Sequence, residues 1–218
     1  MKTARENQLK IFEIFHSLQG ESNFVGLPTV FIRLTGCPLR CRWCDTEYAF
    51  HGGSWMSFDD IISEVKKYNT PYVCVTGGEP LAQKRAFKLL DQLVENGFTV
   101  SLETAGSISV AEVNPAVHKV VDMKAPGSDE CEKNDYQNLT ILSEKDQVKF
   151  VIADEVDYQW AKNLIETNKL DKRCQLLMSP VAGELSPTTL ADWILQDQLP
   201  VRFQIQLHKL LWGDTPGT

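Results

Sequence analysis

Short apolar runs rich in β-branched residues recur along the chain at 29–34, 72–75, 98–102, 119–123, 147–152, 174–178 and 201–206. Runs of this length and composition read as strands. Between several of them, 58–68, 82–95, 154–167 and 187–197 carry apolar residues at a 3.6-residue period, the signature of helices with one buried face. In the second of these, Leu89, Leu90, Leu93 and Val94 form a single stripe, and Asn96-Gly97 supplies the stop. Strand and helix alternate. The pattern predicts an α/β fold, a parallel sheet covered by helices, either open and doubly wound or curled into a full or partial barrel. No repeat, low-complexity segment or linker interrupts it, so residues 1–218 read as one domain.

Two stretches break the alternation. Residues 34–57 form a loop rich in Gly, Cys and aromatic residues, too long for a simple connection, and 125–143 form a second, polar irregular stretch. Long loops in compact domains are usually functional. The first follows a strand directly, which in parallel α/β folds is where ligands bind.

Composition narrows the classes. The 218 residues are 43% hydrophobic and 23% charged, which excludes a disordered chain, and the length suffices for a core that needs no disulfide or structural metal. With 22 Lys+Arg against 29 Asp+Glu the net charge is -7, which offers no footprint for a nucleic-acid backbone and points to a small-molecule partner. The polar start, Met1 to Lys10, holds no signal-peptide core, and no apolar run is long enough to span a membrane, so a cytoplasmic location is expected.

Three of the six cysteines, Cys37, Cys41 and Cys44, fall within eight residues. In a cytosolic chain such a cluster reads as metal or redox chemistry, whereas Cys74 and Cys174, set in apolar runs, read as small buried hydrophobes. A Cys-x3-Cys-x2-Cys loop can hold three irons of a cubane cluster, and the missing fourth ligand leaves one iron open to a substrate or cofactor. The competing interpretation is a structural zinc site borrowing His51, but His51 lies seven residues beyond Cys44, and there is no second Cys-x2-Cys or His pair.

Placed after a strand in a βα-repeating chain, this loop resembles that of the radical S-adenosylmethionine (SAM) superfamily. Val73-Cys74-Val75-Thr76-Gly77-Gly78-Glu79-Pro80 resembles the superfamily's Gly-Gly-Glu-Pro segment along the SAM methionyl group, where paired glycines let the backbone approach a ligand closely. Further segments resemble the 7-carboxy-7-deazaguanine synthases of the queuosine pathway. These are Ile11 to Glu21, Phe31 to Cys37, Cys44-Asp45-Thr46, Glu103 to Gly106, Asp122 to Ser128, Gln147 to Ile152 and Gln206 to Lys209. The resemblance implies an incomplete (β/α) barrel of the radical SAM type. It also implies a [4Fe–4S] cluster, SAM and Mg²⁺, and conversion of 6-carboxy-5,6,7,8-tetrahydropterin to 7-carboxy-7-deazaguanine with loss of ammonia.

Carried over residue by residue, the resemblance makes Cys37, Cys41 and Cys44 the cluster ligands and Thr46 the Mg²⁺ ligand. Leu18, Gln19, Gly20, Arg33, Thr76 and His208 would meet the pterin, with Arg33 on its carboxylate. Trp43, Cys44, Asp45, Gly78, Asp122, Lys124 and Ser179 would meet SAM. Asp122-Met123-Lys124 stands where many relatives have Ser-Pro-Lys, and the tail from Trp212 to Thr218 differs from that of shorter relatives whose terminus approaches the substrate. A low-potential flavodoxin or ferredoxin as electron donor and a homodimer are further expectations of the resemblance. The rivals are a glycyl-radical enzyme activase, which leaves Leu18 to Glu21 and Cys44-Asp45-Thr46 unexplained, and a non-catalytic metal-binding module, which would want a fourth ligand. A degenerate paralogue that binds SAM without turnover is the remaining alternative.

Overall fold

The computed structural model describes residues 6–213 together with 215 and 217. Among these residues nine strands form one sheet: β1 (Gln8–Leu18), β2 (Pro28–Leu34), β3 (Ser54–Ser57), β4 (Tyr72–Gly77), β5 (Thr99–Thr104), β6 (His118–Met123), β7 (Gln147–Ile152), β8 (Gln175–Pro180) and β9 (Arg202–Phe203). The helices are α1 (Phe58–Val65), α2 (Ala86–Glu95), α3 (Asn138–Ile141), α4 (Glu155–Asn168), α5 (Pro187–Gln196) and α6 (Leu207–Trp212).

The strand order is β3-β1-β2-β4-β5-β6-β7-β8-β9. From β2 onward each later strand of the parallel series adds beside the last, always on the same side. Crossovers of one hand that always advance in one direction leave their helices on one face. The doubly wound alternative is thereby excluded. The sheet is open, with β3 and β9 at its edges, as an incomplete barrel requires.

The two faces of the sheet differ in composition. Val30, Ile32, Leu34, Val73, Val75, Val100, Leu102, Val121, Met123, Val148, Phe150 and Ile152 share one core cluster with Ile61, Val65, Leu89, Leu93, Ala161 and Leu190 of the helices. The residues between them on the same strands, Arg33, Thr76, Glu103, Asp122 and Lys149, point to the opposite face, as a period of two demands. Those helices lie on the other side of the sheet, and this face lines a cavity.

Several boundaries depart from the pattern. β1 and β3 are antiparallel additions that the apolar runs did not announce. A bulge between Ile11 and Glu13 breaks the alternation along β1 and switches which face its residues present. The helix expected from residue 82 starts at Ala86, because Pro80–Ala82 make a separate 3₁₀ turn capped by the Glu79 side chain. The strand expected over 201–206 shrinks to Arg202–Phe203, and the Gln204 amide instead clamps the Ser22 backbone at 3.0 and 2.8 Å.

The hairpin loop 19–27 crosses beneath the sheet. Phe24 packs on the rings of Tyr72 and His118 with centroids 5.7 and 5.1 Å apart, and the Asn23 amide donates to Gln147 Oε1 at 2.9 Å. After β9 the chain returns over the open side, where the Leu207 amide donates to the Gly20 carbonyl at 3.1 Å.

Candidate active site

A cavity of about 340 Å³ opens at the carboxyl ends of the parallel strands. The cysteine loop forms its rim. It leaves β2 through Gly36, whose φ of +98° suits only glycine and whose amide donates to the Ala49 carbonyl at 2.9 Å. The Leu39 amide donates to Cys37 Sγ at 3.4 Å and the Cys44 amide to the Cys41 carbonyl at 3.2 Å. The second irregular stretch braces this loop from outside. The Arg42 amide donates to the Ser128 carbonyl at 3.1 Å, the Arg42 guanidinium reaches the Gly127 carbonyl at 3.1 Å and Glu184 at 2.7 Å, and the Arg40 amide donates to Glu130 at 2.5 Å. The two segments that broke the strand–helix rhythm hold each other.

Cys37, Cys41 and Cys44 all face the cavity. Burial pushes the Cys37 thiol up and the Cys41 thiol to about 11, against the opposing pull of Lys124. A metal centre supplies the positive charge that turns such thiols into thiolates. Among the described residues no three His, Cys, Asp or Glu side chains converge on a single ion position. The donors are therefore three thiols sharing a cavity, not one point.

Beside them runs the Gly77-Gly78 turn. A Cβ on Gly78 would lie 2.4 Å from the Gly36 carbonyl oxygen and 2.6 Å from Cys37 Cβ, and one on Gly77 would lie 2.4 Å from the Leu34 carbonyl oxygen. These glycines let two pieces of protein backbone meet, so close approach to the cysteine loop accounts for both, with Gly78 also exposed to the cavity. Glu79 locks the turn. Its fully buried carboxylate accepts from the Leu81 amide at 2.8 Å, the Thr104 hydroxyl at 2.8 Å and the Ala105 amide at 2.6 Å, while burial still raises its pKa.

The floor and far wall are polar. Gln19 Nε2 donates to Glu103 Oε1 at 3.1 Å and Thr76 Oγ1 to Glu103 Oε2 at 3.3 Å. Lys149 pairs with Glu21 at 2.6 Å, and Lys124 with Asp122 at 3.0 Å. Burial pulls the Lys149 and Lys124 ammonium groups down, but their carboxylate neighbours outweigh it and hold both protonated. Burial likewise raises Glu103. Across the cavity Gln206 Nε2 donates to Asp45 Oδ2 at 3.2 Å; burial opposes ionisation of Asp45, yet Lys149 and Lys209 lower its pKa. Gly20 lies against His208, since a Cβ there would sit 2.3 Å from His208 Nδ1. Thr46 Oγ1 is 3.8 Å from Cys44 Sγ and caps no helix end, leaving its oxygen on the cavity.

The cavity brings together Leu18, Gln19, Gly20, Arg33, Cys37, Cys41, Trp43, Cys44, Asp45, Thr46, Thr76, Gly78, Asp122, Lys124 and His208. Ser179 is the exception. It lies on β8 below the rim, 2% exposed, with its hydroxyl unpartnered among the described residues, and Val181 and Ala182 take the lining position instead. Glu21, Glu103, Tyr48 and Lys149 also line the cavity, although no role was expected of them. For Lys149 the signal was a charged residue at the alternate position of an otherwise apolar run.

The fold and the rim of three cysteines define a radical SAM protein, and residues 31–122 match the model of the radical SAM superfamily. The chain is 46% identical over 211 residues to the 7-carboxy-7-deazaguanine synthase of Chlorobaculum tepidum, covering 95% of this chain and 96% of the relative. It is 41% identical to the enzyme of that name from Koribacter versatilis, with 96% and 99% covered. The crystal structure of QueE from Escherichia coli superposes with a TM-score of 0.76 at 28% identity, over 92% of this chain and 95% of that one. The chain belongs to the 7-carboxy-7-deazaguanine synthase family. Its superfamily brings a [4Fe–4S] cluster and SAM, and the three cavity-facing thiols have the donor chemistry for such a cluster. No helix among the described residues is long and apolar enough to cross a membrane.

Proposed function

We propose that this protein converts 6-carboxy-5,6,7,8-tetrahydropterin to 7-carboxy-7-deazaguanine with loss of ammonia, as a single radical SAM domain using Mg²⁺ beside the cluster and SAM. The observation that carries the reading is the convergence of three cysteines, an arginine, an acid–base network and the Thr46 oxygen on one cavity of about 340 Å³. When bound, the cluster and SAM would supply radical chemistry that begins with removal of a hydrogen atom from the substrate.

The chain's own residues do the rest. Cys37, Cys41 and Cys44 would hold the cluster, with no fourth protein ligand expected. Trp43, Asp45, Gly78, Asp122 and Lys124 surround the place of SAM, with Lys124 available to its carboxylate. Ser179 would reach SAM only after β8 shifted, and is the weakest member of the set. Thr46 offers one hard oxygen to Mg²⁺, which commonly keeps waters and takes further oxygens from a substrate. Arg33 holds the pterin carboxylate, and Gln19, with Leu18, Gly20, Thr76 and His208, frames the ring. Gln19 is itself oriented by Glu103, and Glu103 by Thr76. Lys149 keeps the ammonium form between Glu21, Asp122 and Glu103, so it can donate a hydrogen bond but cannot serve as a base. A cytoplasmic location, a flavodoxin or ferredoxin donor and a homodimer complete the proposal.

The test is anaerobic. Protein reconstituted with iron and sulfide is given dithionite, SAM, Mg²⁺ and 6-carboxytetrahydropterin, and mass spectrometry should find 7-carboxy-7-deazaguanine formed over many turnovers per SAM. Cleavage of SAM to 5′-deoxyadenosine without that product would leave the radical chemistry and remove the substrate. Replacement of Thr46 by Ala should keep cluster and SAM binding while abolishing the response to Mg²⁺.

A further inference from the structure

The guanidinium of Arg33 is held more elaborately than a simple ion pair requires. Its Nε donates to Glu13 Oε1 at 2.7 Å, and Tyr48 donates its hydroxyl to the same oxygen at 3.3 Å. The guanidinium also lies over two rings, with its carbon 5.5 Å from the Phe15 centroid and 5.7 Å from that of Tyr48. Phe31 is stacked on Phe15 at 4.9 Å, and Phe12 is tilted on Tyr48 at 5.3 Å. The cation is thus packed against two rings, each of which has a further ring against it. Among the described residues, Nη1 and Nη2 have no acceptor, and Arg33 lines the cavity.

This arrangement depends on the bulge in β1. Ile11 is opposite Leu34 and both belong to the helix-side core, whereas Glu13 is opposite Arg33 on the cavity side. In a regular strand residues 11 and 13 would share a face. The extra residue, Phe12, moves Glu13 across the sheet.

We infer that Glu13, with Tyr48, is a positioning element that fixes Arg33 through Nε so that both terminal nitrogens face a ligand carboxylate, making the cavity selective for carboxylated over uncarboxylated pterins. The inference deepens the substrate reading above and rests on it. A guanidinium can present a parallel pair of N–H groups from Nη1 and Nη2, or one edge containing Nε. Glu13 occupies the second edge and leaves the first. Because Tyr48 follows Thr46 within the cysteine loop, the same hydroxyl ties the carboxylate clamp to the loop that carries the cluster ligands.

The experiment compares 6-carboxypterin with pterin by anaerobic equilibrium dialysis against the reconstituted holoenzyme with SAM and Mg²⁺. Wild-type protein should prefer the carboxylated compound. Glu13→Ala should lose roughly 10-fold or more of its affinity for 6-carboxypterin, with affinity for pterin unchanged, as for loss of a charge-assisted hydrogen bond. Glu13→Gln keeps an acceptor for Nε and sheds the negative charge, so it should bind 6-carboxypterin at least as well as wild type, to within about threefold. Tyr48→Phe keeps the ring and should lose about threefold. If wild type discriminates and Glu13→Ala discriminates equally, or if Glu13→Ala weakens both compounds alike, Glu13 does not position Arg33 and the inference is overturned. If wild type itself shows no preference, the assignment of the cavity to a carboxylated pterin falls instead.

Discussion

Two carboxylates of this protein, Asp146 and Glu79, are both fully buried, yet their acidities move in opposite directions. Asp146 lies at the amino-terminal end of the parallel strands, just before β7. Burial would raise its pKa, but the Lys119 amide at 3.0 Å, the Ser143 amide at 2.9 Å, the Ser143 hydroxyl at 2.8 Å and the Lys119 ammonium at 3.1 Å outweigh it. Glu79 lies at the carboxyl-terminal end with three donors and no cation in contact; the nearest influential one, Lys124, is already paired with Asp122. Burial wins there. The difference teaches that equal burial does not mean equal cost. One end of the sheet cancels its charges in contact, whereas the end that carries the cavity tolerates a strained carboxylate because it pins Gly77-Gly78 to the start of the β5–β6 connection.

The comparison can be broken by experiments at each end. The largest effect should come from Cys41→Ala, which removes one of three thiols and should reduce turnover to background and bleach the visible absorption of reconstituted protein. Unfolding of the metal-free form should shift by no more than about 0.5 kcal/mol, as at positions outside the core. A large loss of stability would mean that the rim is structural after all. Asp146→Ala should do the reverse. By stranding the buried Lys119 it should cost about 3–5 kcal/mol in denaturant unfolding, with the cavity residues untouched. A cost below about 1 kcal/mol would show that the pair is not the anchor described. Glu79→Gln should cost less, about 1–3 kcal/mol, since an amide retains one acceptor and turns an N–H against another donor. It should also lower turnover by loosening the glycine turn.

The smallest effect is in the pH dependence, and there the two ends should have opposite signs. Asp146 has a folded pKa below its unfolded one, so its stabilising contribution is complete above the ordinary carboxylate value of about 3.9 and is lost as the pH falls through the lower folded value. Glu79 has a folded pKa above its unfolded one. Its penalty is absent in acid and grows as the pH rises from about 4.3 through the raised folded value. The difference in unfolding free energy between wild type and Asp146→Asn should therefore increase with pH over its window, and that between wild type and Glu79→Gln should decrease. Parallel slopes would erase the distinction.

The parallel core of the fold was legible because its strands and helices keep clean periods: 147–152 is β7 to the residue. β1 was not, because the bulge at Phe12 breaks the alternation by which a half-buried strand announces itself. The rim of the cavity was legible through the Cys37, Cys41 and Cys44 spacing, and Arg33, Gln19, Thr76 and His208 all reach the same space. What stayed hidden was pairing. Nothing local says that Glu13 faces Arg33, that Glu21 reaches Lys149 across 128 positions, or that the 126–130 segment braces the cysteine loop. Gly78 was visible but for only part of its reason, since the backbone that approaches it is the protein's own.

The hydrogen bond from Leu207 to Gly20 joins an early part of the chain to a late one. On the ribosome the cysteine loop emerges soon after Gly20, but the segment that walls the cavity beside His208 is translated after every strand of the sheet. The growing polypeptide thus carries its three thiols in an unfinished pocket while β4 to β9 are made. Assembly of the complete site must wait for the segment around His208 to leave the exit tunnel.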